Sequence, residues 1–281
     1  MTLSKQKTCS NTIAFAFLCL LSAIFLIPIF LVLLNSFKSR FYISSSPFAL
    51  PSSETFVGFE NYLNGLSSSG FFISFIRSVW VSIASVLVII VCTSMASWFI
   101  VRVKNKFTKA IYFLFAFSMI VPFQMVMYTM TFIVNRISFD NVFGIVFVYL
   151  GFGAGLSVFM FTGFVKAVPL EIEEAAEIDG CNPLQTFFLV VFPILKPTII
   201  TVSILNSMWV WNDYLLPYLI LGTDHKTVPV AIQIAMQGAY GATDYGGFMA
   251  MLVLAIIPIV IFYIDSQKYI IKGVISGAVK G

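Results

Sequence analysis

Six stretches of this chain are apolar for roughly the length a helix needs to cross a bilayer, and that repetition limits the fold more than any single motif. A spanning helix takes about 20 apolar residues. The runs are Ile13–Leu34, Val79–Val101, Ala110–Ile133, Val142–Val165, Thr198–Leu221 and Gly247–Ile264. In hydrocarbon the backbone must satisfy its own hydrogen bonds, so each run is predicted to be a helix. The charged fraction agrees: it is 10%, where a soluble domain holds about 25%. The expectation is an all-α, polytopic membrane protein made of one transmembrane domain, residues 1–281.

Proline falls inside four runs, at Pro28, Pro122, Pro217 and Pro258, and predicts bends that neighbouring helices must accommodate. Gly151 and Gly155 in the fourth run form a small-xxx-small pair that allows close helix contact. The first run follows Lys5 and Lys7, but it is too long for a signal-peptide core and no A-x-A site follows it. It reads as a retained span.

Lys and Arg set the orientation. With the N-terminus inside, eleven of the sixteen basic residues face the cytoplasm, among them Arg102, Lys104, Lys106, Lys109, Lys166 and Lys196. The positive-inside rule therefore puts both termini in the cytoplasm, together with the segment between the fourth and fifth runs.

That segment, Val168–Pro197, reads VPLEIEEAAEIDGCNPLQTFFLVVFPILKP. Pro169 suits a first helical turn, and Glu171, Glu173 and Glu174 suit the positive end of a helix dipole. Gly180 is a natural stop, because it takes positive φ without a Cβ clash. Asn182–Pro183 then predicts an N-cap and first position of a second helix. At helical spacing Ile172, Ala175 and Ala176 share one side of the first helix, with Glu173, Glu174 and Glu177 largely on another. A small smooth face beside carboxylates suits docking into a basic groove. An amphipathic helix lying on the membrane is the other reading, although such helices usually carry Lys or Arg on the polar face.

Glu174–Ala175–Ala176, Gly180 four residues later, and Val190, Phe192 and Pro193 resemble the EAA loop of ABC-importer permeases. Val190 and Phe192 stand where that family usually has Ile and Leu. With its flanks, the chain resembles the second permease subunit of maltose-type carbohydrate importers, over about residues 13–281. The resemblance implies the transmembrane domain of a type I ABC importer in a bacterial cell membrane. Solute would be carried by alternating access, driven by ATPase subunits through the loop. Glu173, Glu174, Ala175, Ala176, Asp179 and Gly180 would form the ATPase-coupling site. The implied partners are a second homologous permease, two copies of an ABC ATPase, an extracytoplasmic solute-binding protein, and a sugar or oligosaccharide.

Three further segments carry smaller signals. WVWNDYLLP in the fifth run looks like the family's Trp-Asn-acid-aromatic-Leu signature and supplies Trp209, Trp211, Asn212, Asp213 and Tyr214 as candidate substrate-pathway residues. An intramembrane carboxylate must face protein or water, so Asp213 is either part of that pathway or a structural group beneath an aromatic belt. Gly222–Gly246 is expected to be an outer loop. The resemblance implies that its Gln237, Gly238, Tyr240, Thr243 and Asp244 meet the binding protein; a turn-rich connector is the other reading. The basic tail QKYIIKGVISGAVKG resembles the family's closing sequence and would touch the ATPase dimer or anionic lipid. A short helix is also expected near Asn61–Tyr62 in the loop after the first run.

Several chemistries find no residues here. No Walker A pattern is present: GTDHKT at 222–227 has His225 where a Gly must precede the Lys. His225 is the single histidine, so neither a zinc HExxH helix nor a nucleophile–His–acid set can be assembled. Cys9, Cys19, Cys92 and Cys181 form no CxxC. The chain is expected to be no enzyme and to bind no cofactor or metal, with ATP and Mg on partner subunits, and to leave nucleic acid alone. A permease of the same class for another solute is the alternative; an ion-coupled secondary transporter would need more intramembrane carboxylates than Asp213.

Overall fold

The structure is a computed structural model that describes residues 2–236 and 243–278, with side chains described for 12–236 and 243–269. Among the described residues it is helical throughout, apart from turns and one isolated antiparallel bridge between Lys38 and Phe56. The helices are α1 (Thr2–Asn35), α2 (Arg40–Ser45), α3 (Glu60–Ser69), α4 (Phe71–Arg102), α5 (Lys106–Ser118), α6 (Phe123–Arg136), α7 (Gly144–Val165), α8 (Leu170–Ile178), α9 (Pro183–Gln185), α10 (Phe192–Ile194), α11 (Lys196–Asn212), α12 (Leu215–Leu221), α13 (Val228–Met236) and α14 (Tyr245–Ala278). A π-helical turn, Thr186–Val191, joins α9 to α10.

Among the described residues four single helices are long and apolar enough to cross a membrane: Thr12–Asn35 of α1, α4, α7, and Tyr245–Tyr269 of α14. Two predicted runs are broken. The third is split into α5 and α6, which meet at 108°. Pro122 sits at the break with extended geometry (φ −64°, ψ 138°), since it has no N–H to continue a helix and disfavours helical backbone before it. The fifth is interrupted at Asp213, whose ψ of 122° ends α11 before α12 begins. Counting the two bent pairs, α5 with α6 and Pro183–Ile194 with α11, as one span each raises the number to six.

The chain divides into two compact units. One takes in Met1–Phe71 and Ile232–Ile257. Within it the helix expected near Asn61–Tyr62 is α3, and its polar pair is structural. Asn61 Nδ2 donates to the carbonyls of Ser36 and Lys38, each at 2.8 Å, and the Tyr62 hydroxyl lies 2.7 Å from Ser36 Oγ. Lys38 is 1% exposed and donates to the Ser46 carbonyl at 2.9 Å; burial draws its ammonium pKa below the usual lysine value. Gly246 lets the start of α14 approach α3, because a Cβ there would stand 2.4 Å from Asn61 Oδ1.

The other unit takes in Phe72–Ala231 and Pro258–Gly281. Two clusters of buried side chains lie within it. Val86, Ile90, Phe161, Val165, Phe187, Val191, Leu195 and Val202 join α4, α7, the π-turn and α11. Val81, Val134, Ile145, Tyr149, Val210 and Leu216 join α4, α6, α7, α11 and α12. Close approach in α7 comes from Gly153 and Gly155 rather than from Gly151 and Gly155. A Cβ at Gly153 would meet Ile89 Cδ1 at 2.7 Å, and one at Gly155 would meet Ser118 Oγ at 2.7 Å, whereas Gly151 has open space around it.

Gly222–Gly246 is less loop-like than its glycines suggest. It contains α13, whose Val228, Val230, Ala231 and Ala235 are 0–3% exposed. Its start is held where Ser78 Oγ accepts from Val228 N at 2.8 Å.

Candidate functional site

The EAA-like stretch forms α8 with the ends its sequence demands. Pro169 sits at the N-cap in extended geometry, one position earlier than the first-turn place expected for it. At the other end Asp179 is the C-cap and Gly180 takes φ +87°. Two backbone bonds close the turn, Cys181 N to the Ala176 carbonyl and Gly180 N to the Glu177 carbonyl, both 3.0 Å. This is the Schellman pattern, which satisfies carbonyls that a helix end leaves open. Asn182 caps the next segment reciprocally: its side chain accepts from Gln185 N and the Gln185 side chain accepts from Asn182 N, both at 2.9 Å, with Pro183 at the first position. The π-turn follows just upstream of Pro193, which has no N–H for the Leu189 carbonyl; a wider turn relieves the clash.

The helix is not presented as a uniform acidic rod. Glu173 is only 4% exposed and points into the protein. Arg102, the last residue of α4, grips it: Nη2 donates to Oε1 at 2.6 Å, and Nε to Oε1 and Oε2 at 3.0 and 3.1 Å. Trp98 Nε1, one turn back in α4, donates to Oε2 at 2.9 Å. Arg102 Nη2 also donates to the Val168 carbonyl at 3.0 Å, just before α8 begins. A forked Arg–carboxylate contact is strong and directional, and here it joins residues 71 positions apart. Trp98 packs on Phe187 at 5.5 Å between ring centres, so the same joint touches the core under the π-turn.

This separates the six expected coupling residues into two groups. Glu173 and Ala176 face inward, at 4% and 7% exposure. Glu174, Ala175, Asp179 and Gly180 are exposed, with Glu171, Ile172 and Glu177 beside them. Glu173 therefore does not share the solvent face of Glu174 and Glu177, and Ala176 does not share that of Ala175. The open surface is a small residue flanked by carboxylates and by Ile172 (42% exposed) and Ile178 (86% exposed), a surface that cations and a shallow apolar groove would complement.

The second candidate group lies at the break after α11. Asp213 Oδ1 accepts from Leu215 N at 3.1 Å and Leu216 N at 3.4 Å, so its carboxylate starts α12. Tyr149 donates its hydroxyl to Oδ2 at 3.2 Å. Trp209 stands edge-on to the Tyr149 ring at 5.3 Å. Trp211 turns elsewhere, edge-on to Phe75 at 5.7 Å, and lines an apolar cavity of about 350 Å³ with Ser203, Ser207 and Met208. Tyr214 stacks on Tyr218, and Asn212 is exposed with its amide donated to the Met208 carbonyl at 2.7 Å. The five residues do not converge on one point. Asn206, a polar residue of the same apolar run that was assigned no role, is 5% exposed and donates to Ser157 Oγ at 3.2 Å and the Val202 carbonyl at 2.9 Å. A buried amide in an apolar run was the available signal.

Of the five expected binding-protein contacts, Gln237, Gly238 and Tyr240 lie outside the described residues. Thr243 and Asp244 precede α14, and Asp244 Oδ1 accepts from Gly247 N at 3.0 Å, an N-cap role. In the tail, α14 continues to Ala278, and Lys268 lies over the Tyr269 ring at 5.1 Å. The side chain of Lys272 and all of Lys280 lie outside the described residues.

Comparison with known proteins identifies the family and the fold. Residues 89–276 match a family model described as the binding-protein-dependent transport system inner membrane component. The chain is 35% identical to a probable starch degradation products transport system permease of Thermoanaerobacterium thermosulfurigenes, covering 92% of this chain and 93% of the relative. It is 35% identical to a multiple sugar-binding transport system permease of Streptococcus mutans over 91% and 92% of the two chains. It is 32% identical to a melibiose/raffinose/stachyose import permease of Bacillus subtilis over 91% of each. In fold it superposes on a chain of a bacterial ABC transporter involved in importing the acidic polysaccharide alginate, with a TM-score of 0.78 at 20% identity, over 96% of this chain and 98% of that one.

Proposed function

This chain belongs to the family of binding-protein-dependent transport system inner membrane components, and we propose that its α8 is the lever by which separate ATPase subunits move it. It is a multi-pass membrane permease subunit of an ABC importer, acting with other subunits. The solute we propose is a sugar or oligosaccharide, as the names of the relatives suggest.

In this reading the loop 168–197 is cytoplasmic in a bacterial plasma membrane, with both termini on the same side. Two ATPase copies hold ATP and Mg, and this chain holds neither. Glu174 meets a cation of the ATPase; Ala175 permits close approach; Asp179 and Gly180 hold the turn. Closure of the ATPases displaces α8, and Glu173 passes that displacement to α4 through Arg102. A second permease completes the pathway, and an extracytoplasmic binding protein delivers solute to the segment that includes Thr243 and Asp244. Trp209, Trp211, Asn212, Asp213 and Tyr214 line or support the route.

The observation that carries this reading is the buried joint beneath an open acidic face. A helix lying loosely on lipid has no use for a carboxylate locked to another helix 71 residues away. The test is co-purification of the ATPase with Glu174→Lys, an exposed position whose charge the fold does not use. We expect the variant to insert normally and to lose both ATPase and uptake. Full uptake with the ATPase retained would overturn the lever.

A further inference from the structure

Beside the joint lies a second feature that coupling leaves unexplained. The ends of α4 and α7 and the start of α5 enclose a cavity of about 490 Å³ lined by Arg102, Lys104, Lys109, Tyr112, Thr162 and Lys166, among others. Four of these six are cationic. Glu173 occupies one edge of the Arg102 guanidinium, and Nη1 is left without an acceptor among the described residues. Lys104, Lys109 and Lys166 have no carboxylate partner among them either, and the Lys166 ammonium lies 5.9 Å over the Tyr112 ring.

A cluster of cations by itself is ordinary at the inner end of spans. The second observation is Thr162, in the wall of this cavity. It is 2% exposed, and its Oγ1 has no hydrogen-bond partner among the described residues. A helical threonine normally gives its proton to a carbonyl one turn back, and a buried hydroxyl left unpaired is costly. A donor kept unpaired beside four cations fits an acceptor-rich anion.

We propose that this cavity seats the phosphate headgroup of an anionic phospholipid of the cytoplasmic leaflet. The placement rests on the cytoplasmic reading of the loop 168–197, because α4 and α7 both end there and headgroups lie at that depth. Alongside it α5 exposes Phe107, Phe113, Leu114 and Phe117 at 52–68%, an apolar strip on which acyl chains can lie. Three lysines and Arg102 Nη1 neutralise the phosphate, and the Thr162 hydroxyl donates to it. Because Arg102 is shared, the headgroup and Glu173 hold opposite edges of one guanidinium. The lipid thereby stiffens the joint between α8 and α4.

The test is native mass spectrometry of the full-length chain, titrated with phosphatidylglycerol or phosphatidylcholine, with inorganic phosphate as a third arm. Wild type should retain one phosphatidylglycerol in preference to phosphatidylcholine. The triple variant Lys104→Gln/Lys109→Gln/Lys166→Gln should lose that retention by on the order of 100-fold, while Lys106→Gln, outside the lining, keeps it. Thr162→Val removes the unpaired hydroxyl without an internal bond to lose. It should leave thermal stability unchanged or raised and weaken phosphatidylglycerol several-fold. Unchanged retention in the triple variant, equal loss in Lys106→Gln, or displacement of the lipid by millimolar phosphate would each overturn the proposal. The readout needs no ATPase, so it can fail while the lever stands, and the lever can fail while it holds.

Discussion

Glu173 and Asp213 are both carboxylates drawn into the second unit, and the protein treats them differently. Glu173 meets a cation and an indole from a helix far away in sequence: Arg102 in a fork, and Trp98. Asp213 meets no cation among the described residues. It takes two backbone amides from the helix it starts and one phenol from α7. The difference teaches what each is for. A forked ion pair is directional and ties two separate elements to each other. Amide contacts two and three residues on shape the chain locally, and a single phenol adds a modest tether. Force applied to α8 has a stiff route to α4 through Glu173, whereas Asp213 stabilises a break in a span beside Trp209.

The comparison can be broken most sharply at Arg102. Removing one partner of a buried pair leaves an uncompensated charge, so Arg102→Leu should cost about 3 kcal/mol of stability, since Glu173 is 4% exposed. The assembled complex should show this as a lowered unfolding midpoint, with uptake lost. The exchanged pair Arg102→Glu/Glu173→Arg should recover part of both. If a double-mutant cycle gave no interaction energy between the two positions, the joint would not exist.

Next in size is Asp213→Ala, which strips the amides of Leu215 and Leu216 of their acceptor and should cost about 1–3 kcal/mol. Asp213→Asn keeps one oxygen for both amides and replaces the other with an amide NH2, which donates to the Tyr149 oxygen instead of accepting from it; it should cost less than about 1 kcal/mol. If Asn proved as damaging as Ala to uptake while folding normally, the charge of Asp213 would serve the solute rather than the helix start.

A smaller effect is expected at Gly180. Nothing lies within 4 Å of a Cβ built there, so Gly180→Ala pays only for positive φ, roughly 1–2 kcal/mol. Thermal unfolding would show it. Rescue by Gly180→Asn, which tolerates that backbone better, would identify the turn geometry as the requirement. The smallest stability change belongs to Glu174→Lys, expected within about 0.5 kcal/mol because the side chain is exposed, even though uptake fails. A large destabilisation there would erase the contrast between an inward Glu173 and an outward Glu174.

Much of this was legible before any coordinates. Apolar run lengths located the four single-helix spans, and Pro122 marked the sharp break between α5 and α6. Gly180 and Asn182–Pro183 placed the ends of two helices, because caps and positive φ are written in adjacent residues. The helical wheel of α8 failed at Glu173: periodicity says which residues share a side, not which side is buried. The glycines of Gly222–Gly246 suggested a loop and hid α13, whose short apolar run is read as strand, helix or linker equally well.

The chain alone determined where its apolar runs lie, the turn that ends α8 and the cap that starts α9, and its family resemblance, since each depends on neighbours within a turn or on the total of apolar length. Only the tertiary structure decided that Arg102 faces Glu173, that Tyr149 faces Asp213, and that Gly153 rather than Gly151 admits a neighbouring helix. The reason is distance along the chain. Pairings across 60 or 70 residues leave no local periodicity, and the direction of a buried charge is set by whichever distant partner repays its loss of water.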